Sequence, residues 1–193
     1  MFKTLFVLTA ILIGASIGAA QAVQRSTKQQ AWDLGHNLSL AALGHAEGGA
    51  SAAVESLLAK AKGNGRTFGV TIPDLPAKTA DKASNRAEAL VYLLRKVGGP
   101  MGAILKRDFD EEHALLFEIS LKSNLLLMLY LPGEKEPQTI ANVIKTRGER
   151  IGLPESLTAD LLRLVTANAE FDKVKASVFK MHADVAKYLA RTK

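Results

Sequence analysis

The sequence predicts an all-α bundle of about six to seven helices, built as a single domain over residues 23–193. Apolar residues recur at three- and four-residue intervals in every long segment, which is the spacing of one helix face. Only 6% of the 193 residues are aromatic. The one β-like run, Val70-Thr71-Ile72, is too short to build a sheet. About 170 residues are enough to bury a core without disulfides.

The first 22 residues have the features of a secretory signal peptide. Lys3 is followed by the apolar run Leu5–Ile13 and then by Ala20-Gln21-Ala22, a pattern that signal peptidase accepts. We therefore expect cleavage after Ala22 and export of residues 23–193. Because the chain contains no cysteine, a bacterial periplasm is favoured over a secretory route that relies on disulfides.

Glycine and proline clusters divide the rest of the chain into helical segments. Gly48-Gly49 is expected to end the first helix, Gly63-Asn64-Gly65 the second, and Gly98-Gly99-Pro100 the third. The predicted helices cover residues 28–46, 51–62, 79–97, 101–107, 111–131 and 138–150, and a last helical region covers 155–191.

The third predicted helix carries a basic face as well as an apolar one. Lys78, Lys82 and Arg86 follow at four-residue intervals, within a region (60–107) that has ten Lys or Arg against three acidic residues. We expect this face either to make weak contact with an anionic envelope surface or simply to be solvated. Export argues against a nucleic-acid partner. The apolar stripe expected to face the core comprises Ala83, Ala87, Leu90, Leu94 and Val97.

The helix predicted over 111–131 is the most apolar of the chain and is expected to be central. Asp108 or Asp110 can cap its first turn, where carboxylates are favourable. Between residues 114 and 131 only Glu118 and Lys122 are charged, and their spacing suits an ion pair along the helix. Such a helix is packed on most sides by protein.

The chain also contains a possible internal duplication. Trp32-Asp33-Leu34-Gly35 is similar to Phe117-Glu118-Ile119-Ser120, and the glycine-containing ends of the following helices align in the same order. The repeat hypothesis gives two halves, residues 28–107 and 108–193, related by a pseudo-twofold axis, with helices 28–46 and 111–131 side by side. The alternative is that any two amphipathic helices align by their shared periodicity.

Several classes of enzyme lack their signature here. Cysteine nucleophiles and Cys-ligated metals are excluded by composition, and the motifs of serine hydrolases, P-loop proteins and dinucleotide-binding proteins are missing. Accordingly the sequence predicts no catalytic residue and no cofactor.

Two Asp-x-x-His pairs, Asp33/His36 and Asp110/His113, have a spacing that bundle metal sites use. Real di-metal sites need more carboxylates, and Asp110 is explained by capping, so no metal is predicted. His45 and His182 are expected to be satisfied histidines of the core or of an interface.

The crease between the two halves of the repeat hypothesis is the predicted binding site, because small residues on the first helix allow close helix approach or leave a crevice there. We expect a non-enzymatic periplasmic binding or protein-interaction protein, with a small ligand or a protein of the cell envelope as partner. The alternative is a metal- or carboxylate-dependent envelope enzyme that uses Asp33, His36 and Glu118. The predicted site residues are Trp32, Asp33, His36, Phe117, Glu118 and Lys122.

Overall fold

A computed structural model describes residues 26–192, and all regular structure in that range is helical, which confirms the predicted all-α bundle. Three helical stretches, residues 82–91, 92–98 and 99–108, follow one another without a break, so the described chain forms seven helical rods. The elements are α1 (Thr27–Ala46), α2 (Ser51–Thr67), α3 (Lys82–Val91), the π-helical segment (Tyr92–Gly98), α4 (Gly99–Asp108), α5 (Glu111–Leu129), α6 (Lys135–Arg150), a 3-10 turn (Glu155–Leu157), α7 (Ala159–Thr166) and α8 (Phe171–Arg191).

At the centre, α1 and α5 pack side by side more extensively than any other pair of helices. They approach closely because Gly35 has no side chain: a Cβ built there would overlap the carbonyl oxygen of Phe117 and lie 3.2 Å from the Cβ of Ser120. The α5 helix begins where the sequence predicts, since the Asp110 carboxylate accepts the backbone N–H of His113 at 2.8 Å.

Two apolar clusters lie on opposite sides of this central pair. The first is formed by α1, α2, the α3–α4 rod and one face of α5; the second is formed by another face of α5 with α6, α7 and α8. Two fully buried aromatic side chains show a reciprocal crossing between the clusters. Trp32 extends from α1 into the second cluster, whereas Phe117 extends from α5 into the first. Because both faces of α5 are buried, its apolar character all round is explained.

The expected stop of the second helix at Gly63-Asn64-Gly65 is wrong, since α2 continues to Thr67. Tertiary packing outweighs the low helix propensity of these residues. A Cβ at Gly65 would lie 3.0 Å from the Val70 carbonyl oxygen, so the glycine admits the returning chain.

The helices α2 and α6 end in the same way. In α2, the Val70 N–H donates to the Gly65 carbonyl at 2.9 Å, and Gly69 has a φ of +66°. In α6, the Leu153 N–H donates to the Gly148 carbonyl at 2.9 Å, and Gly152 has a φ of +72°. These are glycine-terminated helix ends of one geometry.

The third helix differs from its prediction at both ends. Asp81 caps it, accepting the Ala83 and Ser84 N–H groups, so α3 begins at Lys82 instead of residue 79. At the other end Gly98-Gly99-Pro100 does not break the chain, because the turn widens into the π-helical segment and α4 continues. A wider turn suits Pro100, which lacks an N–H and whose ring would meet the carbonyl four residues earlier in an α-helix.

The face of the third helix that was expected to be buried is largely exposed. Ala83, Ala87 and Leu94 face solvent, Leu90 is half-buried, and only Val97 of the predicted stripe is buried. The connector between α2 and α3 explains the difference, because the Tyr92 hydroxyl donates to the Pro73 carbonyl at 2.6 Å and turns that face inward. The residues that are buried instead are Asn85, Ala89, Tyr92 and Leu93, together with Val97.

The predicted basic face is not a single helical face. Lys78 lies in the connector before α3, and Arg86 is ion-paired with Glu47 beyond α1. The predicted signal peptide, residues 1–22, lies outside the described residues. Within residues 26–192, no helix combines the length and the apolar character that crossing a membrane requires.

Candidate functional site

An open groove of about 540 Å³ runs between α4, the π-helical segment, α5 and the last turn of α6. We call it the α4–α5 groove. Its size lies within the range of small-molecule sites in proteins. Its apolar lining comprises Leu93, Leu94, Ala103, Ala114, Leu115, Phe117 and Leu121.

One wall of the groove is made by glycines of the π-helical segment and α4, namely Gly98, Gly99 and Gly102. A Cβ at Gly102 would meet no atom within 4 Å, so a side chain at this position would extend into open space. The groove therefore exists partly because side chains are missing from this wall.

The rim of the groove is charged and predominantly basic. Glu118 Oε1 lies 2.8 Å from Lys122 Nζ, and the same carboxylate is ion-paired with Arg147. Glu111 Oε1 lies 2.8 Å from Arg150 Nη2 and 3.4 Å from Lys106 Nζ. Each of the two carboxylates is thus shared by two cations, which leaves two positive charges in excess.

Two of these cations are partly desolvated. Burial lowers the pKa of Lys122, and burial followed by the charge of Arg150 lowers the pKa of Arg147. In both side chains, burial disfavours the charged form.

Of the predicted site residues, Phe117, Glu118 and Lys122 line this groove. The predicted Glu118–Lys122 ion pair is present. The other three cations of the rim, Lys106, Arg147 and Arg150, were not predicted to be site residues. The two arginines both lie in the last turn of α6. Sequence alone could not show that this turn lies opposite α5.

Trp32 and His36 belong to a different place, a polar cluster buried where α1, α5 and α8 meet. The rings of His36 and His182 lie 4.3 Å apart between centroids, and those of Trp32 and His182 lie 5.0 Å apart. Asp33 is half-buried on the same helix. The six predicted site residues are therefore not brought together: His36 contacts Asn124 and His182, whereas Glu118 contacts Lys122 and Arg147.

Hydrogen bonds link the histidines to polar residues of α5. Asn124 Nδ2 donates to Ser39 Oγ at 2.8 Å and lies 3.2 Å from His36 Nδ1. Ser123 Oγ lies 2.7 Å from His182 Nε2 and donates to the Ser120 carbonyl at 2.9 Å. Since that hydroxyl has only one proton, His182 Nε2 must be the donor to it. The signal in the sequence was the presence of Ser120, Ser123 and Asn124 in an otherwise apolar helix.

Both histidines of this cluster are neutral at pH 7. Burial, assisted by the charge of Lys60, lowers the pKa of His36 to about 4. Burial and the neighbouring His36 place the pKa of His182 well below its ordinary value. The cluster is therefore a neutral, desolvated network that links the first and last parts of the chain.

The remaining histidines bridge segments of the fold. His113 Nδ1 lies 2.7 Å from the Asp110 carboxylate and its Nε2 lies 2.9 Å from Thr27 Oγ1, so it joins the start of α5 to the start of α1. His45 Nε2 lies 2.8 Å from the Pro76 carbonyl oxygen of the connector. No cluster of three or more metal-ligating side chains occurs in the part of the chain that the structure describes.

Comparison with protein-family models, with curated proteins and with solved structures finds no match for this chain.

Proposed function

We propose that the chain is an exported, non-enzymatic periplasmic binding protein whose α4–α5 groove holds a small amphiphile with an anionic head. One observation carries the proposal: an open groove whose lining is partly apolar and partly polar is bordered by four cations and only two carboxylates. Export rests on the signal-peptide pattern of residues 1–22.

The lining favours a ligand with an apolar body. Leu94, which lines the groove, is 48% exposed, so part of its apolar surface is open to a ligand. Covering such surface stabilises a complex by roughly 25 cal/mol for each Å² of apolar area removed from water. An aliphatic chain or a ring system meets this requirement.

The rim favours an anionic head. Lys122 and Arg147 already share the Glu118 carboxylate, and their charges are partly desolvated. A second carboxylate or a phosphate near this pair would form charge-assisted hydrogen bonds, which are about twice as strong as neutral ones. A cationic head would be repelled by the excess positive charge.

We also propose that residues 28–107 and 108–193 are two halves related by a pseudo-twofold axis. In a twofold arrangement, equivalent residues near the axis touch each other. At the offset of 85 residues, Gly35 corresponds to Ser120 and Ser39 to Asn124; the first pair packs together and the second pair is hydrogen-bonded. The reciprocal crossing of Trp32 and Phe117 supports the same relation. The α4–α5 groove then lies in the crease where the first half meets the second.

Isothermal titration calorimetry with three dodecyl compounds, used below their micellar concentrations, tests the ligand class. We expect dodecyl phosphate to bind at one site, dodecanol to bind at least about tenfold more weakly, and dodecyltrimethylammonium not to bind, because one charge-assisted contact is worth about 1.5–3 kcal/mol. Equal binding of all three would contradict an anion-selective groove.

A pair of matched variants tests the location. Gly102→Leu places a side chain in the groove and should abolish binding of dodecyl phosphate. Gly63→Leu is the control, because Gly63 is also a half-buried helical glycine with free space around it but lies on α2, outside the groove lining. Undiminished binding by Gly102→Leu would show that the ligand is held elsewhere.

A further inference from the structure

We propose that this protein docks on an anionic lipid bilayer through the outward face of α3 and the π-helical segment. Val91 and Leu94 would enter the interfacial region of the bilayer, and Arg95 and Lys96 would contact lipid phosphates. The proposal concerns the surface of the molecule and does not depend on whether the α4–α5 groove binds a ligand.

The apolar part of this face is unusually exposed. Val91 is 38% and Leu94 48% exposed, and these are two of the four large hydrophobic residues that are exposed in the described range. They are three residues apart in the same helical rod. Ala83 and Ala87, also exposed, extend the apolar strip toward the start of α3.

The polar part of this face is basic. Arg95 and Lys96 are exposed, and neither has an ion-pair partner within residues 26–192. From residue 82 to residue 108 the rod has six Lys or Arg against two acidic residues. Three of the six cations are ion-paired: Arg107 with Asp108, Arg86 with Glu47 and Lys106 with Glu111. Lys82, like Arg95 and Lys96, is exposed and has no ion-pair partner among the described residues. The charge of the rod therefore complements an anionic surface.

A bilayer fits this face better than a folded protein partner does. A stable protein interface needs roughly 800 Å² from each partner with close shape complementarity. Two large apolar side chains and two alanines on one rod offer much less than that. Attraction to an anionic bilayer, in contrast, adds up over separate cations without requiring complementary shape, and shallow insertion of a few apolar side chains adds to it.

The two surfaces adjoin each other. Leu94 both faces outward on the rod and lines the α4–α5 groove. A protein docked through α3 and the π-helical segment would therefore hold one end of the groove near the lipid head groups, where anionic amphiphiles are found.

Sedimentation with lipid vesicles tests the docking. Residues 23–193 should be used, so that the apolar N-terminal run cannot account for binding. We expect binding to phosphatidylcholine vesicles that contain phosphatidylglycerol, and binding at least tenfold weaker to vesicles of phosphatidylcholine alone. Binding should also weaken with added salt, since surface electrostatics are screened. Equal binding to both kinds of vesicle, or binding to neither at low salt, would overturn the proposal.

Matched charge variants locate the contact. Arg95→Gln with Lys96→Gln should weaken binding to the anionic vesicles roughly 20- to 30-fold, given the contribution of each basic residue near such a surface. Lys60→Gln with Arg66→Gln is the control, because it removes one exposed Lys and one exposed Arg from α2. An equal loss in both double variants would contradict docking through α3. Gly102→Leu, which fills the groove, should leave vesicle binding unchanged and so separates this proposal from ligand binding.

A fluorescent label tests the insertion. Because the chain has no cysteine, Leu94→Cys provides a single attachment site for an environment-sensitive dye. Its emission should shift to the blue on anionic vesicles, whereas the same dye on Lys173→Cys of α8 should not respond. No shift at residue 94 would show that this face remains in water.

Discussion

Gly35 of α1 lies so close to the carbonyl oxygen of Phe117 in α5 that a Cβ at this position would overlap that oxygen. The obstacle is main chain, which cannot rotate away as a flexible side chain can. The closest approach of the two central helices therefore depends on a missing methyl group.

Replacing this glycine by alanine should destabilise the protein. For Gly35→Ala we expect a loss of about 1–3 kcal/mol in the free energy of unfolding, because the central helices must move apart in a densely packed interior. Urea denaturation followed by circular dichroism measures it. The control is Gly102→Ala, which has free space around it and should instead gain about 0.5–1 kcal/mol from helix propensity. A change in the free energy of unfolding that has the same sign in both variants would contradict this explanation.

The buried histidines predict a loss of stability in mild acid. The pKa of His36 is about 4 in the folded chain against an ordinary 6.5, so the unfolded chain takes up the proton first. The stabilisation is complete above pH 6.5 and is lost as the pH falls toward 4; for His36 alone it amounts to about 3 kcal/mol. The lowered pKa of His182 acts in the same direction. Urea denaturation at several pH values measures how steeply the unfolding free energy depends on pH.

Substituting the histidine should flatten this dependence. His36→Gln retains a polar side chain, cannot take up a proton, and should reduce the slope of the unfolding free energy between pH 6.5 and 4. His45→Gln removes a half-buried histidine whose ring is hydrogen-bonded to the Pro76 carbonyl of the connector and serves as the control. An unchanged slope in His36→Gln would show that other groups cause the acid sensitivity.

Glu118→Gln tests whether the head group binds beside this carboxylate. It removes a negative charge from the rim, so we expect dodecyl phosphate to bind several-fold more tightly, while unfolding becomes easier by about 1–2 kcal/mol because Lys122 and Arg147 lose their shared partner. Calorimetry and urea denaturation measure the two effects. The control is Glu112→Gln, which removes another carboxylate of α5, paired with Lys28 of α1, and should leave the affinity unchanged. Weaker binding by Glu118→Gln would contradict the assignment of the head-group site.

The matching ends of α2 and α6 predict equal effects of equal substitutions. Gly69 and Gly152 have φ values of +66° and +72°, a region that costs other residues roughly 1–2 kcal/mol. Gly69→Ala and Gly152→Ala should therefore each lower the unfolding free energy by that amount. Thermal unfolding of the two variants makes the comparison, and a large difference between them would argue against structural equivalence of the two helix ends.

Local signals in the sequence were sufficient for the central helices. The bounds of α1 and α5 follow from periodicity and from the Asp110 cap, and the Glu118–Lys122 pair follows from spacing along one helix. Each of these features is decided within a few residues of chain. That is why they could be predicted without knowledge of the tertiary structure.

Features decided between distant segments could not be predicted in this way. Gly65 was expected to stop a helix but is needed where Ile72 packs against α2. The partners His36, Asn124 and His182 come from three separate parts of the chain, and Arg147 meets Glu118 only because α6 folds back on α5. Helix propensity and apolar periodicity carry no information about such long-range contacts.

The π-helical segment has a consequence for the groove that concerns the phase of the helix. Its turns contain about one more residue than those of an α-helix, and one residue corresponds to a rotation of about 100° around the axis. If residues 92–98 formed ordinary α-helical turns without losing a residue, all of α4 would be rotated by about that angle relative to α3. Gly102 and Lys106 would then leave the side that faces α5. The wide turns of this short segment, more than the identity of any one side chain, thus set which residues of α4 form the wall of the groove.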